Sequence, residues 1–183
     1  MGFRGWTDRT GCGYAARTII LRSRFGGNSV GFLAWLEATQ WPAEWVRSST
    51  EGYPSMIALH ALGMAIMVGL SLLLDLRILG WFAGIPLQAL RRFFGLAWVG
   101  FGINFISGSM LFSAQATMYI VDWVFMTKMT LVLLGAVTAG ILQPAVAKVA
   151  PGGQLSGGTK AIAGAAIVIW VVAIVMGRLT AYL

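Results

Sequence analysis

Charge is scarce in this sequence. Asp, Glu, Lys and Arg together make up 10% of its 183 residues, against about 25% in a soluble domain. Histidine and cysteine occur once each, as His60 and Cys12. A lone thiol excludes an internal disulfide and leaves no second Cys for a metal-binding pair. One histidine and six acidic residues supply no Ser-His-Asp set, no paired-carboxylate site and no phosphate loop. Hydrolytic chemistry is therefore not expected, and the chain is read as non-enzymatic. Strand-like alternation is lacking too. The residues around Cys12 lack the apolar run of a cleavable signal peptide, so Cys12 is read as an incidental thiol.

What is abundant is apolar sequence. Hydrophobic residues make up 58% of the chain, and the mean hydropathy is +0.79. Four apolar segments stand out: Pro54 to Leu74, Phe93 to Phe112, Trp123 to Leu142, and Ala161 to Gly177 with an extension toward Leu183. Each has about the 17–25 residues a helix needs to cross a hydrocarbon core of about 30 Å. Strands would leave backbone groups unpaired in lipid. The expected fold is all-α, a polytopic membrane protein with a bundle of four transmembrane helices. The first span is expected to serve as its own targeting signal.

The connections orient the bundle. The first loop carries Arg77, Arg91 and Arg92, and the third carries Lys148 and Lys160, whereas the second carries only Asp122. Basic loops stay in the cytoplasm. The bundle's two ends therefore face the periplasm of a bacterial inner membrane. Tyr53, Trp81, Tyr119, Trp123 and Tyr182 mark the interfaces. The net charge of +7 reflects these loops and implies no nucleic-acid partner.

Three regions follow from this reading. Residues 53–183 form the bundle. Residues 30–52 form a short amphipathic interfacial helix, with Phe32, Trp35, Trp41 and Trp45 among Glu37, Glu44 and Arg47, interrupted near Pro42. Residues 1–29 form a basic arm that the charge rule opposes on the periplasmic side. They are read either as residues preceding a natural start near Val30 or as a disordered or surface-bound arm.

Polar groups inside the apolar segments are the functional candidates. His60 lies about 9 Å and Lys128 about 8 Å from the outer boundary. Ser107 and Ser109 fall in the same layer, with Asn104 a turn deeper, so one polar layer is expected in the outer leaflet. His60, Lys128, Asn104 and Ser107 are its candidate ligand-binding residues. The plainer alternatives are that Lys128 snorkels outward and that His60 bonds a serine across helices. Met56, His60 and Met64 share a helical stripe, continued by Met67, and thioether with imidazole suits Cu(I). A methionine stripe is also ordinary packing. Haem b is limited to His–Met ligation within one chain. Haem b and copper are thus the cofactors the side chains admit, and neither is favoured over a site without one. Gly100, Asn104 and Gly108 form a small-residue stripe for close helix packing, within the bundle or in a homo-oligomer. Ala161 and Ala165 form a similar pair. Asp75 and Arg77 are read as an acid–base pair anchoring the first helix end.

Tyr53-Pro54, His60, Gly63, Gly69 and Asp75-Leu76-Arg77-Ile78-Leu79-Gly80 resemble an uncharacterised bacterial family of small inner-membrane proteins. Phe105 to Phe112 and Phe125 to Leu131 resemble its second and third spans. The resemblance covers roughly Leu33 to Leu183 and implies topology without an activity. His60 and Lys128 are its family-like polar positions. The pattern is distantly similar to copper-resistance membrane proteins of the CopD type and to cytochrome b561-like bundles. The latter use several histidines where this chain has one. The resulting expectation is a non-enzymatic membrane subunit or small-ligand binder, within the bilayer and alongside a membrane-complex partner. A haem- or copper-dependent redox or transport protein using His60 is the alternative.

Overall fold

The computed structural model describes residues 27–38, 40–150 and 153–180. The basic arm before residue 27, Cys12 and Tyr182 lie outside them. All regular structure among the described residues is helical. Among the described residues four helices are long and apolar enough to cross a membrane. These are α3 (Gly52–Ile78), α5 (Phe94–Ala114), α7 (Trp123–Lys148) and α8 (Gly157–Leu179).

Local signals set their ends. Pro54 sits in the first turn of α3, where a missing N–H costs nothing. Gly80 closes that helix in the left-handed region, at φ 104°. Its N–H bonds Arg77 O, and the Trp81 N–H bonds Leu76 O. This pair of bonds satisfies the last carbonyls of α3. Asp122 caps α7 by accepting from the Val124 N–H at 2.9 Å. Ser156 caps α8 by accepting from the Thr159 N–H at 3.2 Å.

The helices run past the expected boundaries. α7 continues through Pro144 to Lys148, where a loop was expected from Gln143. Pro144 brings no N–H to the carbonyl four residues back, and the helix continues through it. Gln143 is held by the Trp98 Nε1–H, which donates to its Oε1 at 2.8 Å. α8 begins at Gly157 rather than Ala161 because Ser156 supplies the cap. α3 continues past Leu74, so that Asp75 is a helical, buried residue.

The long helices form a ring in the order α5, α3, α8, α7. α5 and α7 close it through side chains: the Trp98–Gln143 bond and the stacked rings of Phe112 and Phe125, 5.6 Å apart. One apolar cluster gathers Leu74, Ile78, Leu90, Leu142, Val146, Ala163 and Ala166 near one end. A second joins Met67, Val68, Ala97, Ala139 and Trp170. In α8 the buried small residues are Ala163, Ala166 and Ala173, whereas Ala161 and Ala165 are exposed. The expected Ala161–Ala165 pair is thus corrected: the 3- and 4-residue steps that reach Trp170 select Ala163 and Ala166.

The segment before α3 forms two helices, α1 (Gly27–Glu37) and α2 (Trp45–Ser48). A wide turn, Gln40–Glu44, joins them, with Trp41 extended. Short helices α4 (Leu87–Leu90) and α6 (Ala116–Tyr119) sit in the connections on either side of α5. α1 packs on α6, so the pre-bundle segment and the second connection share one end. Its charged groups turn toward the chain. Glu37 Oε1 accepts from the Thr117 N–H at 2.7 Å and from its hydroxyl at 2.8 Å. Arg47 donates to Glu44 at 2.7 Å and to the backbone carbonyls of Glu37 and Ala114. Phe32, Trp35 and Trp41 point outward instead, 60–71% exposed. Beside this cap the Tyr119 phenol is held above its usual pKa, first by burial and then by Tyr53 and Asp122.

Two predictions follow from these contacts. A Cβ on Gly63 would lie 2.6 Å from Asn104 N and 2.8 Å from Gly100 O, whereas one on Gly69 meets nothing within 4 Å. Gly63→Ala therefore lowers stability by about 1–3 kcal/mol, and Gly69→Ala does not, as thermal melts in mild detergent will show. Glu37→Gln weakens two charge-assisted bonds by about 1–2 kcal/mol in total. Faster amide exchange confined to α1 and α6 is the signature.

Candidate functional site

α3 and α5 approach closely because Gly63 and Gly100 face each other's backbone. The same contact sets His60 against α5, one turn from Gly63. The Asn104 carbonyl lies 3.1 Å from His60 Nδ1, and Ser107 Oγ lies 3.3 Å from it. A carbonyl only accepts, so Nδ1–H donates and Nε2 of the neutral ring keeps its lone pair. Asn104 Nδ2 donates to the His60 carbonyl at 2.9 Å and lies 3.5 Å from Nε2. Ser107 donates to Ile103 O at 2.6 Å. Gly108 gives the imidazole its space, since a Cβ there would stand 3.0 Å from His60 Cε1. The Gly100–Asn104–Gly108 stripe therefore serves packing inside the chain.

Beside this network lies a cavity of about 20 Å³, room for one or two waters. All four long helices line it. α3 contributes His60, Met64, Met67 and Val68, and α5 contributes Phe101 and Asn104. α7 contributes Lys128 and Val132, and α8 contributes Trp170, Ala173 and Ile174. The Lys128 stem runs along Gly177, whose Cβ would stand 3.5 Å from Cε. Trp170 is 3% exposed, and its Nε1–H has no partner among the described residues.

His60, Lys128 and Asn104 thus meet at one cavity, and Ser107 stands behind the imidazole. Ser109, placed in the same layer by depth, is exposed and bonds Phe105 O. Of the Met56–His60–Met64 set, His60 and Met64 border the cavity, as does Met67, and Met56 does not. Met118, Met126 and Met129 are exposed. The cavity beside His60, about 20 Å³, is smaller than the hundreds of Å³ of a typical cofactor pocket. The Asp75–Arg77 pair is corrected as well. Arg77 donates to the carbonyls of Ile85 and Ala83, while Asp75 is 2% exposed and its Oδ2 has no partner. Sequence reasoning stopped the first span at Asp75 because a charge was taken as a boundary. It also passed over Trp170, Ser71 and Gln143. The repeat His60, Met64, Met67, Ser71, Asp75 was the signal for the buried face of α3.

No family model matches the chain, and no curated protein or solved structure matches it either.

Asn104→Ala removes the bond to the His60 carbonyl and costs about 1 kcal/mol. It also loosens the ring, which ¹⁵N-imidazole spectra in detergent will register as a second, broadened tautomer signal.

Proposed function

We propose that the protein is a multi-pass bacterial inner-membrane protein that binds a small anion in the His60–Lys128 cavity and has no enzymatic activity. The membrane part of this reading rests on where the apolar surface lies. Leu62, Phe105, Ile106, Leu133, Val137 and Val168 point outward from all four long helices. The most apolar stretch of each helix is only 17–28% buried within the chain. Such continuous apolar surface calls for lipid rather than water. The basic loops support an orientation with the ends of the bundle in the periplasm. The α1 segment then lies at the outer interface with Phe32, Trp35 and Trp41 as its anchors.

The anion reading rests on one observation: the donors at the cavity outnumber the acceptors. Lys128 and Trp170 both line it, and the buried Trp170 Nε1–H has no acceptor among the described residues. A buried donor without a partner costs about 1–3 kcal/mol, and a water-sized anion accepts from both groups. The Lys128 ammonium repels Cu(I), which His60 and Met64 would otherwise suit.

Thermal melts of the detergent-purified chain in chloride, nitrate and formate test the reading. A saturable rise in Tm is expected, reaching about 2.7 kcal/mol of stabilisation at a hundredfold excess over Kd. Lys128→Gln abolishes it. Absence of any anion effect overturns the anion site. A Soret band or stoichiometric copper, lost on His60→Ala, replaces it with the cofactor reading.

A further inference from the structure

Three buried side-chain atoms have no hydrogen-bond partner among the described residues: Ser71 Oγ, Asp75 Oδ2 and Trp170 Nε1. Trp170 belongs to the cavity. Ser71 and Asp75 do not. They stand one turn apart on α3 and are 5% and 2% exposed. An unpaired carboxylate in apolar surroundings is costly enough to mark function rather than packing. Among the described residues no charge offsets it. On its own helix, Arg77 is committed to backbone carbonyls. On α7, Gln143 is held by Trp98, and Lys148 is exposed. Arg91 and Arg92, ahead of α5, and Lys160 on α8 are exposed as well.

The position of the pair gives it a direction. His60, Met64, Met67, Ser71 and Asp75 follow steps of four, three, four and four residues along one face of α3. That face spans about 22 Å, most of a hydrocarbon core. His60 and the cavity lie at one end and Asp75 at the other. Met67, 2% exposed, separates the cavity from Ser71. It is an unbranched side chain that moves aside easily.

We propose that Asp75 is a proton-binding site, and that the buried face of α3 carries a proton between Asp75 and His60. At the inner end the Asp75 carboxylate takes a proton from hydronium, whose O–H bond breaks to leave water as the carboxyl O–H bond forms. That bond breaks as a water entering between the two side chains accepts the proton; Ser71 Oγ then takes a proton from that water and gives its own hydroxyl proton to the next, beside Met67. His60 Nε2 accepts next, and Nδ1–H or Nε2–H is lost on the outer side. One proton enters, one leaves, and nothing is oxidised or reduced. The proposal rests on the membrane reading but not on the anion.

The full chain, reconstituted in phosphatidylcholine–phosphatidylglycerol vesicles with an entrapped pH dye, is driven by a potassium diffusion potential. Proton flux about tenfold above empty vesicles is expected. Asp75→Asn returns it to background, and Ser71→Ala reduces it severalfold. Wild-type flux equal to that of empty vesicles overturns the proposal, as does undiminished flux in Asp75→Asn. A second measurement needs no variant. Dicyclohexylcarbodiimide, which reacts with protonated carboxyls in apolar sites, is expected to label Asp75 among the six acidic residues and to stop the flux. An unlabelled Asp75 overturns the proposal. Anion-dependent melting survives in Asp75→Asn, so failure of one site is distinguished from failure of the other.

Discussion

The close approach of α3 and α5 is the contact on which the rest depends. Gly63 and Gly100 bring the two backbones together, and no larger residue fits between them. Only at that distance can Asn104 reach the His60 carbonyl and the Asn104 carbonyl receive the imidazole N–H. The ring is thereby held in one orientation and one tautomer. α8 and α7 make the corresponding approach on the other side, where Gly135 lies against the Trp170 indole. Two tight helix pairs set face to face leave a small gap between them, and the cavity occupies that gap.

Much of this architecture is legible in residue type. Apolar length gives the number of long helices, and Arg77, Arg91, Arg92, Lys148 and Lys160 give the topology expected of them. The polar layer is legible because helix rise converts sequence position into depth, which puts His60 and Lys128 level. Depth says nothing of azimuth. Ser109 and Ser107 share a layer, yet Ser109 faces outward and Ser107 faces His60. Met56 and Met64 share a stripe, yet only Met64 reaches the cavity. Ala161 and Ala165 satisfy the same spacing rule as Gly100 and Asn104, and only the second pair meets a neighbouring helix. Spacing along one helix cannot reveal which face a partner covers.

Charge misled the reading for a related reason. Asp75 stands where an apolar run ends, and a carboxylate there resembles an interface residue. The chain continues as helix for three more residues to Ile78, and Gly80 turns it only afterward. Arg77, two positions on, faces the opposite way and finds the carbonyls of the following loop. At the other end Glu37 and Arg47 look like a solvated face. They instead knit α1 and α2 to the connection after α5, and the aromatic side chains take the outside. In lipid the usual sorting is inverted: apolar groups face the solvent, and charges survive where the protein supplies their partners.

That inversion bears on the role of the two unusual core groups. A bundle held by Gly63, Gly100 and Gly135 needs no ionisable residue for packing, since close backbone contact supplies the dispersion energy. His60 at least repays its place with bonds to Asn104 and Ser107. Among the described residues Asp75 has no ion-pair partner, and its Oδ2 has no hydrogen-bond partner. Replacing such a group with an apolar residue of similar volume is commonly neutral or stabilising. A carboxyl kept on the same helical face as the histidine therefore fits a group that changes its proton state better than one that holds helices together.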